Sequence, residues 1–323
     1  MRATIIKSAN KPKIKLMIVI LLALTAVAFY MFEGIGPRPD FVLPRRAAQV
    51  MSMTLVGLAI AYSSIIFQTI TNNRILTPAV IGFESVYMFI QTAIVIFFSA
   101  GSYFITGIPN FLLSVGVMMA FSLIIYSIMF RKEGQNILFL LLVGMVLGTM
   151  FSAATSYLQM IIDPSEFFIV QNRMFASFNS INQDLTIISA VLVIITISAT
   201  LPFVKYLDVI SLGREHAVSL GINFTGLSKG FLIAIAVLVS VSTALVGPIT
   251  FLGVLVANIT YQYIKTYKHT YILPTCIAIT ITALVGGQYI IARLLNFSAT
   301  LSVIINFIGG LYFLFLLLKE NKK

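Results

Sequence analysis

Tryptophan is absent from this 323-residue chain, cysteine occurs once (Cys276) and histidine twice (His216 and His269). A lone cysteine leaves no disulfide framework and no thiolate metal site, and its place inside an apolar run makes it a small core residue. Acidic residues number ten against 21 cations, and charged residues are only 10% of the composition. No Gly-x-x-x-x-Gly-Lys-Ser/Thr occurs, so the chain has no phosphate-cradling loop with which to hydrolyse ATP itself. There is no His-Glu-x-x-His and no set of carboxylates at ligand spacing, which argues against a metal site and a catalytic set. Neither a cofactor nor an enzymatic activity is expected.

What the chain has in quantity is hydrocarbon: 59% of its residues are hydrophobic, too many for a water-soluble core. Apolar runs of about 20 residues, each able to cross a ~30 Å hydrocarbon layer as helix, recur along nearly the whole length. They are continuous and do not alternate apolar with polar, so helices are predicted and not barrel strands. The fold class is therefore an all-α integral membrane protein with about ten transmembrane helices. The predicted spans are Leu16 to Phe32, Ala47 to Ile70, Ala79 to Ala100, Pro109 to Phe130, Asn136 to Met160, Leu185 to Phe203, Gly230 to Val246, Phe251 to Ile264, Tyr271 to Ile291 and Ala299 to Leu318. Gly247, Pro248 and Gly253 interrupt the eighth near its start, which predicts a broken or tilted helix facing protein or water.

Ten spans place both termini on one side. Only Arg38, Arg45, Arg46, Arg173 and Arg293, five of the 21 cations, fall on the other. By the positive-inside rule both termini are cytoplasmic, and residues 1–15 form a basic cytoplasmic N-terminus. The net charge of +11 is thus explained by topology. The cations are spread over many short loops without aromatic platforms, so no nucleic-acid partner is expected, only membrane lipid. Ala26-Val27-Ala28 resembles a signal-peptidase site, but the preceding stretch is longer than a signal core and is read as a retained first helix. No linker or soluble domain is visible, so residues 1–323 form a single transmembrane domain.

The polar stretches are few. Asp163 to Asp184 faces outside and is compatible with a short surface helix, as a connector or a binding element. Glu84 is the one acid within a span, near its cytoplasmic end, and is read as an interfacial, snorkelling carboxylate and not as an ion-coupling site. Gly144 and Gly148 form a small-x-x-x-small pair for close helix packing. Gln68, Asn258, Gln262 and Gln288 are candidates to line a translocation path for a large polar solute, although each alone is more often a helix-to-helix hydrogen bond. The most concentrated charge lies in the cytoplasmic loop at 208–229, where Gly213, Arg214, Glu215, His216, Ala217, Leu220 and Gly221 look like a docking surface for a soluble partner.

A set of ordered motifs carries a resemblance. Leu43-Pro44-Arg45 opens the second helix and Gln68-Thr69-Ile70-Thr71-Asn72-Asn73 closes it. Leu142-Val143-Gly144, Gly213-Arg214-Glu215-His216-Ala217 with Leu220-Gly221, Gly247-Pro248-Ile249-Thr250-Phe251-Leu252-Gly253 and Ile308-Gly309-Gly310 come after it in that order. From about Pro44 to Leu318 the chain resembles the permease subunits of bacterial iron-siderophore and cobalamin ATP-binding-cassette (ABC) importers, and is most similar to a petrobactin-type ferric siderophore permease of Gram-positive bacteria.

The resemblance implies a ten-helix permease that works as a dimer above two ATP-binding cassette subunits in the bacterial cytoplasmic membrane. It implies that 208–229 enters a groove of the ATPase, that Arg45, Arg46 and Arg293 meet an extracellular siderophore-binding lipoprotein, and that the cargo is a ferric siderophore, with cobalamin or haem as alternatives. An ion-coupled secondary carrier is the alternative from outside this class. Ala257-Asn258, Gly287-Gln288 and Thr300-Leu301-Ser302 depart from the family pattern, as expected where two different permease chains pair.

Overall fold

The computed structural model describes residues 2–98, 105–129, 137–179, 182–295 and 299–320. Among them are thirteen α-helices and two 3₁₀ turns, Pro78–Ile81 and Leu201–Phe203, and no β-strand. The helices are α1 (Arg2–Phe32), α2 (Pro39–Thr71), α3 (Phe83–Phe97), α4 (Gly107–Met129), α5 (Ile137–Ile161), α6 (Pro164–Arg173), α7 (Gln183–Thr200), α8 (Val204–Ile210), α9 (Arg214–Ser219), α10 (Phe224–Val246), α11 (Leu252–Ile264), α12 (His269–Leu294) and α13 (Leu301–Glu320). Of the residues used in the topology argument, the cations Arg131, Lys132, Lys322 and Lys323 and the span ends Ala100, Phe130 and Asn136 lie outside the described residues.

Among the described residues, seven helical stretches are long and apolar enough to cross a membrane: those of α1, α2, α4, α5, α7 with α8, α10 and α12. The apolar helices α3 and α11 and the apolar stretch Leu301–Phe315 of α13 are shorter. At 1.5 Å per residue the 13 residues of α11 reach only about 20 Å, so non-helical backbone must make up part of its depth. That backbone is the segment 247–251. Gly247 takes φ +102 to end α10, and Pro248 comes next, a stop signal that no helix continues through.

A second interruption replaces the start of the predicted third span. Asn72 closes α2 in the left-handed region at φ 48, its backbone N–H donating to the carbonyls of Gln68 and Thr69. The chain then runs through the Pro78–Ile81 turn and bends at Gly82, φ +95, so the helix begins at Phe83 and not at Ala79. This turn lies directly on α5. A Cβ added to Gly144 would sit 2.8 Å from Ile81 Cα, and one on Gly82 would sit 2.9 Å from Gly148 Cα. The small-x-x-x-small pair therefore admits a stretch of backbone instead of a second helix.

Helices α2 and α10 occupy the centre, with Met53, Ile65, Phe67, Phe231 and Leu238 fully buried. Tyr62 and Thr200 share a 2.8 Å hydrogen bond between α2 and α7, and Ser52 and Thr186 a second at 3.1 Å. Cys276 is buried and free. The outer helices keep large apolar side chains exposed, among them Leu21, Met145, Ile194 and Phe307, as helix faces turned toward hydrocarbon or another membrane subunit require. The predicted short outer helix is α6. The chain beyond it folds inward, burying Ala176 and Phe178 and pairing Ser177 N–H with Val246 C=O.

Replacing Gly144 with leucine should cost about 1–3 kcal/mol by forcing backbone apart, read as a lowered melting temperature of the detergent-purified protein. Gly116→Ala, on α4 with nothing within 4 Å of the new methyl, should leave it unchanged.

Candidate functional site

Two clusters of functional groups lie at opposite ends of α2 and α12. At one end, Gly213 (φ +97) turns the chain between α8 and α9, and Gly221 (φ +79) turns it out of α9. Asn223 then caps α10 by accepting from Gly226 N–H, one of the helix-start donors that need a partner. Of the seven residues predicted to dock a soluble partner, Ala217 is fully buried and anchors α9 to the body. Arg214, Glu215, His216, Leu220 and Gly221 are exposed. Leu212, Val218 and Leu220 are each more than half exposed, so the short helix presents apolar side chains framed by charge.

Beside it, three residues close a hydrogen-bond chain. Asp208 on α8 accepts at Oδ1 from the backbone N–H of His269 (2.7 Å) and pairs with its Nδ1 (2.6 Å). The ring's Nε2 lies 2.8 Å from Thr69 Oγ1 on α2. The predicted spans leave His269 outside the ninth, which starts at Tyr271. His269 opens α12 instead and is only 3% exposed, because Asp208 supplies both its backbone and its ring with a partner. Asp208 and Thr69 were not singled out from sequence. The signal available was an acid enclosed by apolar neighbours in Leu207-Asp208-Val209.

At the other end, Arg45, Arg46 and Arg293 line one open cavity of about 390 Å³, floored by Tyr30 and Gln49. Their roles differ. Arg46 donates to the carbonyls of Met31 (3.0 Å) and Glu33 (2.8 Å), and Arg293 to Glu33 C=O (2.7 Å), so these two hold the α1–α2 turn in place. The carboxylate of Glu33 accepts from Tyr289 Oη at 2.5 Å. Arg45 makes only a long contact to Asn179 C=O, 3.4 Å, and is the most available of the three. Three guanidinium groups with one carboxylate give the cavity a positive rim.

The four predicted path residues differ in burial and in hydrogen-bond partner. Gln68 is buried near the end of α2, with neither atom of its amide bonded to another group in the protein. Asn258 donates to Arg74 C=O (2.9 Å) and Val254 C=O (3.0 Å), tying α11 to the chain after α2. Gln288 donates to Asn179 Oδ1 (2.8 Å) next to the arginine cavity. Gln262 alone is exposed, donating to Tyr312 Oη at 2.9 Å.

Glu84 corrects the sequence reading. It does not snorkel to an interface. The bend at Gly82 turns it inward, where Oε2 accepts from Thr250 Oγ1 at 2.6 Å. Both side chains line a cavity of about 40 Å³ whose walls include Ser63, Ser64, Thr77, Ser242 and Thr243. The interruption at 247–251 is thus tied by one hydrogen bond to the first turn of α3, just beyond the interruption at 72–82. Thr250→Val should lower the melting temperature more than Glu84→Gln does. The first strands a buried carboxylate, at a cost of roughly 1–3 kcal/mol, and the second keeps an acceptor. An unchanged melting temperature in Thr250→Val would show that the bond contributes nothing.

Residues 16–319 match the model of the FecCD transport family. The chain is 51% identical over 311 residues to the petrobactin import system permease protein YclO of Bacillus subtilis (strain 168), covering 96% of this chain and 98% of that one. It is 37% identical over 288 residues to the petrobactin import system permease protein FatC of Bacillus anthracis, covering 88% and 81%. Among solved structures, an inward-facing metal-chelate-type ABC transporter superposes with a TM-score of 0.82 at 22% identity, over 95% of this chain and 99% of that one. That likeness extends the agreement to the fold.

Proposed function

The chain belongs to the FecCD transport family, and from that premise we propose that it is one permease subunit of an ABC importer carrying a ferric siderophore of the petrobactin type. It would be a multi-pass protein of the bacterial cytoplasmic membrane with ten transmembrane helices and both termini in the cytoplasm. The observation that carries the reading is the nearly end-to-end match to two permeases named for petrobactin import. ATP hydrolysis belongs to separate subunits, in keeping with the missing phosphate loop. Among the described residues no three His, Cys, Asp or Glu side chains gather as metal ligands, which suits iron that travels already chelated.

The assembly in this reading holds a second permease subunit of different sequence, two ATP-binding cassette subunits and an extracellular siderophore-binding lipoprotein. The loop at 208–229 docks on the ATPase through the exposed faces of α9. Arg45, with Arg46 and Arg293 behind it, receives acidic groups of the binding protein. Exposed ion pairs contribute only about 0.2–1 kcal/mol each, so the positive rim acts as a group and its effect is screened by salt.

Deleting the gene should abolish uptake of radiolabelled iron as ferric petrobactin while uptake of cobalamin and free ferrous iron continues. Loss of cobalamin uptake with siderophore uptake intact would assign the wrong cargo. Glu215→Lys should weaken copurification of the ATPase and stop uptake with membrane insertion unchanged. The double variant Arg45→Glu with Arg293→Glu should lower binding-protein affinity most at low salt, and unchanged affinity there would remove the cavity from docking.

A further inference from the structure

The two ends of the bundle are joined by the same two helices. On α2, Arg45 borders the outer cavity and Thr69 enters the inner hydrogen-bond chain. On α12, Arg293 borders the cavity and His269 enters the chain. Each pair of residues is 24 positions apart, about 36 Å of helix at 1.5 Å per residue. Midway the helices lie close together: a Cβ on Gly57 would be 3.3 Å from Leu284 and 3.4 Å from Thr280.

The inner ends of both helices are tied to α8 through one imidazole. His269 bonds Asp208 with its backbone N–H and one ring nitrogen, and Thr69 with the other ring nitrogen. A short turn leads from α8 into α9, with Gly213 N–H donating to Ile210 C=O and Ala217 N–H to Gly213 C=O, so a shift of α9 is passed to Asp208. Pro274 lies within the second turn of α12 and has no N–H to give to Thr270 C=O. The first turn of α12 is therefore bound more weakly to the rest of its own helix and depends on Asp208 and Thr69 for its position.

We propose that α2 and α12 form a transmission pair between the outer arginine cavity and the α8–α9 segment, with Asp208, His269 and Thr69 as its inner joint and His269 as the positioning residue. The proposal rests on the reading that α9 docks an ATPase and the arginine cavity a binding protein. Coupling between two sites is a free energy shared by both. If nucleotide state at the ATPase changes binding-protein affinity, binding protein must change nucleotide affinity by the same factor. Cutting the joint should reduce that factor without removing either docking surface, since none of the three residues lies on α9 or lines the arginine cavity.

The test uses the complete transporter in nanodiscs with its ATPase subunits and binding protein. His269→Ala breaks the joint on both sides and Thr69→Val breaks it on one. Asp208→Asn keeps an oxygen that accepts from both N–H groups of His269. With His269→Ala we expect normal ATPase copurification and basal hydrolysis, at least about a fivefold loss of binding-protein stimulation, and a ratio of binding-protein affinities with and without a non-hydrolysable ATP analogue that falls toward one. Thr69→Val should show a smaller loss and Asp208→Asn should stay near wild type. Wild-type stimulation in an assembled His269→Ala complex overturns the proposal. So does failure of both His269→Ala and Thr69→Val to recruit the ATPase, which would make the joint a folding element of the docking segment. A wild-type chain that recruits no ATPase overturns the importer reading, and this proposal with it, before any variant is made.

Discussion

Backbone that leaves the helix inside a membrane has no water to satisfy it, and it persists only where protein encloses it. The helices of this chain are interrupted twice, at 72–82 and 247–251, and both breaks are packed against other parts of the protein. Gly144 and Gly148 give up side-chain volume so that the first break can lie against α5. The second is roofed by the returning segment after α6, where Ser177 N–H meets Val246 C=O. The bond from Thr250 to Glu84 then ties the second break to the first turn of α3. Remove that enclosure and the backbone leading into the short helices α3 and α11 would lose the protein that covers it.

The helical architecture was legible in the sequence because the signal is composition over long windows. Each of the ten predicted apolar runs falls on one of the helices, and the stop at Gly247-Pro248 was plain from residue type alone. The start of α3 was not, since Ala79 and Val80 are as apolar as the helix residues beyond Phe83. What ends the helical run there is the packing of Ile81 and Gly82 on α5, a contact about sixty residues away that no local pattern records.

The sites divide in the same way. Arg45, Arg46, Arg293 and the α9 residues stand out as charge in an apolar chain, and motif order gave them expected roles. Asp208, Thr69 and the inward turn of Glu84 are pairings between distant segments, and a single sequence carries no sign of who pairs with whom. The four amides predicted for a solute path show how little polarity alone says about role. Polarity within a span marks a need for hydrogen bonds, and two of them, Asn258 and Gln288, spend theirs on ties inside the subunit.

The arginine cavity has one more consequence, for how such a surface can change over evolutionary time. Arg46 and Arg293 both grip the α1–α2 turn, and Arg293 lies so close to Gly34 (φ +60) that any side chain there would overlap its guanidinium. Substituting any of these three disturbs the shape of the turn along with its charge. Arg45, with Phe41 and Val42 on the same rim, is not bound in this way. Drift toward a new partner would therefore be concentrated in the first turns of α2, on a frame that the neighbouring arginines keep fixed.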